Sequence, residues 1–213
     1  MTHYIKKLIE QGEHQQLDFK FEIADSRKIA RSLVAFANTD GGTLLVGVKD
    51  NGAIAGVRSD EELFMVEAAA NLYSKPPVLF TTKEWELEGK TVVEVTIPKS
   101  HTLPHYAQDK DGRWFVYIRV KDQNLLANSV LLKVWEKQKQ KQGVVLRYSD
   151  KERWLLDYLG KKGSITLSAF CRQAKVSRKK GETILVNLVV LKIVEMIVTE
   201  KGTFYRITNA GEP

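Results

Sequence analysis

The chain has 213 residues, of which 43% are hydrophobic and 28% are charged, as in an ordinary folded globular protein. It has no apolar run of about 18 residues, a polar N-terminus and a single cysteine, which argues against a membrane span, a secretory signal, a disulfide framework and a cysteine-based zinc site. The net charge is +7 but uneven, since residues 1–132 carry 16 Lys/Arg and 18 Asp/Glu whereas residues 133–213 carry 17 and 8. We therefore expect a cytoplasmic protein with no membrane partner, whose basic C-terminal part meets nucleic acid; solubility alone is the alternative.

The N-terminal part mixes helical spacing with strand alternation. The strand pattern over residues 43–49 is nearly all apolar, which predicts a central strand covered on both faces. In the strand before it, Asp18 and Lys20 share one side and Leu17 and Phe19 the other. These patterns predict a mixed α+β domain over residues 1–126. The predicted helices cover residues 4–11, 26–37 and 60–73, and the predicted strands cover residues 16–22, 43–49, 78–87, 91–97 and 114–120.

The C-terminal part has a different pattern. Residues 127–148 predict a connecting helix and a basic linker that contains KQKQKQ. Residues 149–213 then follow the order helix, helix, helix, hairpin, which is typical of a winged helix-turn-helix domain. The predicted helices cover residues 150–159, 167–174 and 178–191, and the predicted hairpin strands cover residues 197–200 and 203–208.

The third predicted helix of this domain is the candidate DNA reader. Recognition helices use exposed residues near their start on base edges, with neighbouring Lys and Arg on phosphates. Val186 and Val190 also fall on its outer face, where apolar residues suit a protein contact better, so dimerisation or domain packing is the alternative. The net charge of +5 over residues 150–213 favours DNA. The predicted nucleic-acid-binding residues are Arg178, Lys179, Lys180, Thr183 and Asn187 on the helix, and Lys201 and Arg206 on the hairpin.

Three segments of the N-terminal part form a distinctive combination: GEHQQLDFK, AFANTDGGTLLVGVKDNGAIAGV, and LPHYA followed by RWFVYIRVKDQNLLAN. Together they resemble the Schlafen AlbA-like family, also called AlbA-2 or divergent AAA, over about residues 10–130. The resemblance implies an α+β fold with a mixed sheet. In bacteria this domain is often joined to a C-terminal winged helix in proteins called DNA-binding or transcriptional regulators, which fits the fold class expected here: a Schlafen/AlbA-like domain followed by a winged helix-turn-helix domain.

The resemblance also implies a nuclease hypothesis. Some animal Schlafen proteins cut structured RNA with a carboxylate cluster, and the matching positions are Glu13, Asp18 and Asp50, with Lys20 beside them. Such carboxylates could hold Mg²⁺ or Mn²⁺ to polarise a phosphate and activate water. Asp18 stands where the family usually has Glu, which shortens its reach by one methylene. The alternatives are an ordinary turn aspartate at Asp50 and a surface ion pair between Asp18 and Lys20.

A second candidate feature is the turn Asp40-Gly41-Gly42, whose glycines could let a phosphate approach the backbone. The alternative is that the turn ends one helix and starts the next strand. The family's Gly-Ser-Ser segment reads Lys121-Asp122-Gln123 here, so small residues are lost at that point. No Gly-x-x-x-x-Gly-Lys-Ser/Thr loop is present, and the histidines lack the spacing of a catalytic zinc site.

Three functions compete at this stage. The first is a homodimeric DNA-binding protein, a transcriptional regulator whose AlbA-like domain serves assembly, phosphate contact or sensing. The second is a divalent-metal-dependent nuclease acting on RNA or DNA, and the third is an assembly module without a nucleic-acid role. DNA is the expected partner and RNA the alternative, and Mg²⁺ or Mn²⁺ is expected as a cofactor only for the nuclease.

Overall fold

The computed structural model describes residues 2–59, 61–140 and 148–208. The chain divides into two compact units, Met1–Leu126 and Ala127–Pro213. In the described parts of the chain, no helix has both the length and the apolar character needed to cross a membrane.

The first unit contains helices α1 (Thr2–Gln11), α2 (Ser26–Asn38) and α3 (Glu61–Asn71). Its strands are β1 (Leu17–Lys20), β2 (Gly42–Val46), β3 (Ser74–Lys75), β4 (Thr81–Leu87), β5 (Lys90–Ile97), β6 (Tyr106–Gln108), β7 (Trp114–Phe115), β8 (Tyr117–Val120) and β9 (Gln123–Leu126).

The main sheet has the strand order β1-β2-β5-β4, with β1 parallel to β2 and the other pairs antiparallel. One core cluster joins residues of the sheet to α2 and α3, and another lies on the side where Ile5 of α1 packs with Phe19 and Leu45. The sheet is therefore mixed and covered on both faces. The prediction of a central strand covered on both faces is confirmed, although the strand predicted over residues 43–49 is observed at Gly42–Val46.

Two small sheets flank this core, β3-β6-β7 and β8-β9. The single strand predicted over residues 114–120 is wrong, because the chain changes partner at Val116. Phe115 pairs with Ala107, whereas Tyr117 pairs with Leu126. Strand alternation continues across this point, so the sequence pattern does not reveal the change.

The second unit contains α4 (Ser129–Lys139), α5 (Asp150–Lys162), α6 (Leu167–Gln173) and α7 (Arg178–Val190), then the hairpin of β10 (Val194–Thr199) and β11 (Gly202–Ile207). Side-chain oxygens of Ser149, Thr166 and Ser177 cap the last three helices. Helix α4, which the sequence predicts as a connecting element, packs instead in this unit's core through Val130 and Val134. The rest of the predicted linker includes residues 141–147, which lie outside the described residues.

Candidate functional site

Asp18 lies at the centre of a buried polar network in the first unit. Its side chain is only 4% exposed and forms ion pairs with Lys20 at 2.9 Å and with Arg119 at 3.4 Å. The Ser32 hydroxyl donates to it at 3.2 Å and in turn accepts from the Asn124 amide at 2.9 Å. Asp18 and Lys20 therefore share a face, as the sequence predicts, but Asp18 faces the interior rather than solvent.

Arg119 is the residue that the sequence reasoning missed. Its guanidinium, 1% exposed, donates to the Leu17 carbonyl at 3.2 Å and to Asn124 at 3.1 Å, and it lies over the Phe36 ring. A charged residue within the alternating segment of residues 114–120 was the available signal. The network therefore ties β1 to β8 and β9.

Glu13 forms a carboxyl pair with Asp18. Burial raises the pKa of Glu13 to about 7, and its hydrogen bond to Asp18 acts in the same direction, against a backbone N–H from Phe19 at 2.8 Å. Burial by itself would raise the pKa of Asp18, but the hydrogen bond from Glu13 and the charges of Lys20 and Arg119 lower it. Near neutral pH Asp18 is therefore ionised and Glu13 is partly protonated.

Asp50 does not join this pair. Asp18 lies opposite Leu44 in the parallel register, and Asp50 follows the end of β2 in an exposed turn that lines a groove with Glu10 and Gly12. Across the described ranges, no three His, Cys, Asp or Glu side chains are grouped so that they could hold a metal ion. The expected Mg²⁺ or Mn²⁺ site of Glu13, Asp18 and Asp50 therefore does not fit this arrangement, because the three carboxylates are not grouped and Asp18 is already paired with two cations.

The turn Asp40-Gly41-Gly42 ends α2 and enters β2. The Gly41 N–H donates to the Phe36 carbonyl at 2.9 Å, so it is occupied as a helix cap. Gly41 has a φ of +71°, and a Cβ there would lie 2.7 Å from the Ile97 carbonyl oxygen. A Cβ on Gly42 would lie 2.4 Å from the Phe36 ring. Close packing therefore requires glycine at both positions, and the phosphate-approach role stays a prediction.

Asn38, the asparagine of the AFANT segment, also has a structural role. Its amide donates to the carbonyls of His105 and Tyr117 at 2.9 Å each, and its oxygen accepts the His105 N–H at 2.8 Å. The buried Asn38 side chain thus links the end of α2 to the segment that leads into β6 and to the first residue of β8. The asparagine of this motif therefore connects α2, which packs on the main sheet, with both small sheets.

The start of α7 in the second unit carries exposed positive charge. Lys179 and Lys180 are exposed, and neither forms an ion pair with a described residue. Arg178 is exposed as well but pairs with Glu182 at 3.2 Å. Hydrogen bonds from Lys133 and Ser129 together with Arg178 lower the pKa of the buried Glu182 carboxyl. Of the three predicted basic residues at the helix start, two are available to a partner and the third is engaged.

Helix α4 covers part of the outer face of α7. Val186 is 4% exposed and belongs to the same apolar cluster as Val130 and Val134 of α4. Lys137 of α4 donates to the side-chain oxygen of Asn187. The apolar outer residues of α7 therefore meet the protein's own helix, and Asn187, predicted to read bases, is occupied within the second unit. Thr183 stays exposed, although its hydroxyl donates to the Lys179 carbonyl at 2.9 Å.

The two predicted hairpin residues differ in the same way. Lys201 lies exposed at the turn between β10 and β11 and has no ion pair with a described residue. Arg206 is half-exposed and pairs with Glu195 on the neighbouring strand. Lys201 therefore remains available at the hairpin tip, whereas Arg206 is engaged across the hairpin.

Comparison with known protein families settles what the first unit is. The model of the Schlafen AlbA_2 domain matches residues 13–128, more than half of the chain. This protein belongs to the Schlafen AlbA_2 family. The matched region contains the Asp18 network, the hydrogen bonds of Asn38 and both small sheets of the first unit, so these features belong to its AlbA_2 domain.

The solved structures that match include two of low identity. The crystal structure of the DIP2311 protein from Corynebacterium diphtheriae is 16% identical, with a TM-score of 0.44, over 71% of this chain and 36% of that one. The chain thus spans about a third of the length of that relative. The solution NMR structure of the N-terminal domain of a Nitrosomonas europaea protein, described as related to the ATP-dependent DNA helicase RecG, is 19% identical, with a TM-score of 0.34, over 58% of this chain and 94% of that one.

Proposed function

We propose that this protein binds double-stranded DNA through its second unit and acts as a transcriptional regulator. In this proposal the second unit is a winged helix-turn-helix domain, α7 is its recognition helix and the β10–β11 hairpin is its wing. The AlbA_2 domain serves assembly, phosphate contact or sensing, and membership in that family supports a nucleic-acid-related role. A cytoplasmic setting and a homodimer, which would present two readers to two half-sites, belong to the same proposal.

The observation that carries the proposal is the uncompensated positive charge around the start of α7. Arg172, Lys175, Lys179 and Lys180 lie within nine consecutive residues, and all four are exposed. In the described part of the chain none of them forms an ion pair, whereas Arg178 between them does. Such a group of free cations at a helix start suits the phosphates that flank a DNA groove.

The position of α4 restricts how DNA could approach. Because α4 covers Val186 and engages Asn187, the exposed stripe of α7 is its N-terminal half, where Lys179, Lys180 and Thr183 lie. Recognition helices commonly contact bases with their N-terminal residues, so this half is sufficient for the proposed contact. Arg178 and Asn187, which the sequence predicts as nucleic-acid-binding residues, are engaged within the second unit. In this proposal Lys179, Lys180 and Thr183 therefore contact the DNA.

The test is fluorescence anisotropy of a labelled mixed-sequence DNA duplex over a range of salt concentrations. Each of Lys179→Glu and Lys180→Glu should weaken binding and reduce the slope of log K against log salt by about one. Lys192→Glu is the matched control, since this exposed lysine follows the opposite end of α7 and its reversal changes the net charge equally. Equal losses in all three variants would show that only net charge matters and would contradict a site at the helix start. Mn²⁺-dependent cleavage of the duplex that is lost in Asp50→Ala, a substitution at an exposed position, would indicate the nuclease instead.

A further inference from the structure

The outer face of the small sheet β3-β6-β7 in the AlbA_2 domain carries an unusual set of side chains. Lys75 pairs with Tyr106, and Gln108 pairs with Trp114. Directly paired residues project from the same side of a sheet, and alternate residues of one strand do so as well. Lys75, Tyr106, Gln108 and Trp114 therefore share one face. Ser74 and Ala107 are fully buried on the opposite face, where Ala107 joins the main core.

Both aromatic rings on this face are accessible. Tyr106 is 37% exposed and Trp114 is 38% exposed. They are diagonal neighbours on adjacent strands, an arrangement that separates residues by roughly 7–8 Å. Two large aromatic side chains that are left this exposed on one sheet face indicate a surface that meets a partner.

One free positive charge, that of Lys75, lies beside these rings. Lys75 is exposed on the same face and forms no ion pair with a described residue. The nearby carboxylates of Asp109 and Asp111 are both paired with Arg113, at 3.1 Å and 2.8 Å. The face therefore offers two aromatic rings beside the free cation of Lys75.

The backbone that carries Tyr106 is held firmly from below. The ring of His105 lies within hydrogen-bond distance of the Pro76 carbonyl at 2.9 Å and of the Ser100 hydroxyl at 2.7 Å. Since a carbonyl oxygen can only accept, Nδ1 of His105 donates to Pro76. The His105 N–H also donates to Asn38, so the LPHYA segment fixes the strand on which Tyr106 stands. A stacking surface on a rigid strand loses little freedom when it binds.

We propose that this face binds single-stranded nucleic acid, with Tyr106 and Trp114 each stacking on an unpaired base and Lys75 contacting an adjacent phosphate. Exposed aromatics on a sheet with flanking cations are the means by which proteins hold unpaired bases, and a duplex keeps its bases stacked and out of reach. The site is separate from the helix start in the second unit and does not rest on the duplex binding proposed for that unit.

The test uses the full chain and fluorescence anisotropy with labelled oligo(dT) and oligo(rU). Tyr106→Ala and Trp114→Ala should each weaken binding about 5- to 150-fold, the range expected for the loss of one stacked base. Trp114→Phe should recover most of the affinity because the ring is restored. Phe64→Ala is the matched control, since Phe64 is an aromatic residue of α3 that is 65% exposed outside this sheet. Binding of either oligonucleotide that weakens in Tyr106→Ala and Trp114→Ala but not in Phe64→Ala supports the site, and the oligonucleotide that binds more tightly distinguishes DNA from RNA.

A double variant separates this site from the second unit. Lys179→Glu/Lys180→Glu should retain oligonucleotide binding even where duplex binding is lost. Equal oligonucleotide affinity in wild type, Tyr106→Ala and Trp114→Ala would overturn the proposal, and so would binding that depends on Lys179 and Lys180 but not on the two rings. Circular dichroism of each variant excludes loss of the fold as the cause of weaker binding.

Discussion

The carboxylate of Asp18 lies 3.4 Å from the guanidinium of Arg119, and the two side chains are only 4% and 1% exposed. A buried charge pair of this kind is tolerated because each charge neutralises the other and because Asp18 and the terminal nitrogens of Arg119 form further hydrogen bonds. The pair joins the first strand of the AlbA_2 domain to one of its last, across about a hundred residues of sequence. This arrangement favours a structural role for Asp18 over metal binding.

We expect Asp18→Ala to destabilise the AlbA_2 domain by about 3–5 kcal/mol, because Arg119 would remain buried with its main counter-charge removed. The loss is measured as the change in the free energy of unfolding in urea. Asp50→Ala is the control, since Asp50 is exposed and should change that free energy by no more than about 0.5 kcal/mol. Equal effects of the two substitutions would contradict the structural role.

Glu13 makes the domain's stability depend on pH. Its pKa is about 7 in the folded protein against an ordinary 4.5, so the folded state binds more protons than the unfolded state between these values. The stability due to Glu13 is therefore fully present below about pH 4.5 and is lost as the pH rises through about 7. Glu13→Gln, which stays neutral, should remove this part of the pH dependence.

The measurement is the melting temperature of wild type and Glu13→Gln from pH 5 to pH 8. The difference in stability between the two proteins should change by on the order of 1 kcal/mol over this range, a figure reduced for the partial solvent exposure of the Glu13 side chain. Asp18 titrates below this range because its pKa is lowered, so it does not contribute. Parallel curves for the two proteins would show that Glu13 ionises normally.

The turn Asp40-Gly41-Gly42 after α2 allows a test of whether its glycines are needed for packing or for the approach of a phosphate. Gly41→Ala should destabilise the domain by more than about 1 kcal/mol, because the residue has a φ of +71° and its Cβ would meet backbone atoms of Ile97 and Lys99. Gly89→Ala is a matched control with a φ of +74° and open space around the new Cβ. The melting temperature should therefore fall further for Gly41→Ala, and equal losses would contradict the packing role.

Local features of the AlbA_2 domain could be predicted from the sequence, whereas the long-range partners could not. Strand alternation placed Asp18 and Lys20 together and set Leu17 and Phe19 against the core, and the ion pair and the burial agree. No local sequence pattern predicts the ion pair between Arg119 and Asp18. The same is true of the pairing of Lys75 with Tyr106 in a sheet of two- and three-residue strands. Strands this short give almost no periodic signal, so the aromatic face of that sheet is visible only in three dimensions.

The element that covers the outer face of α7 could not be predicted from the sequence either. Helical spacing predicts that Val186 points away from the core of a three-helix module, but it cannot tell whether a partner protein or the chain itself covers that residue. In the structure, α4 covers Val186 with apolar residues that the sequence assigned to a connecting helix. The candidate DNA contacts therefore narrow to the residues at the start of α7 that α4 leaves exposed.

We expect Val134→Ala to reveal α4 as part of the second unit's core. Val134 is 4% exposed and belongs to the same apolar cluster as Val186, so the truncation should cost about 1–2 kcal/mol of that unit's stability through lost burial. Gln138→Ala is the control, because Gln138 is an exposed residue of the same helix and should change the stability by less than about 0.5 kcal/mol. Hydrogen exchange of the α7 amides is the measurement, and it should become faster in Val134→Ala only. Unchanged exchange in both variants would mean that α4 is no more than a connector and that the outer face of α7 is open to a partner after all.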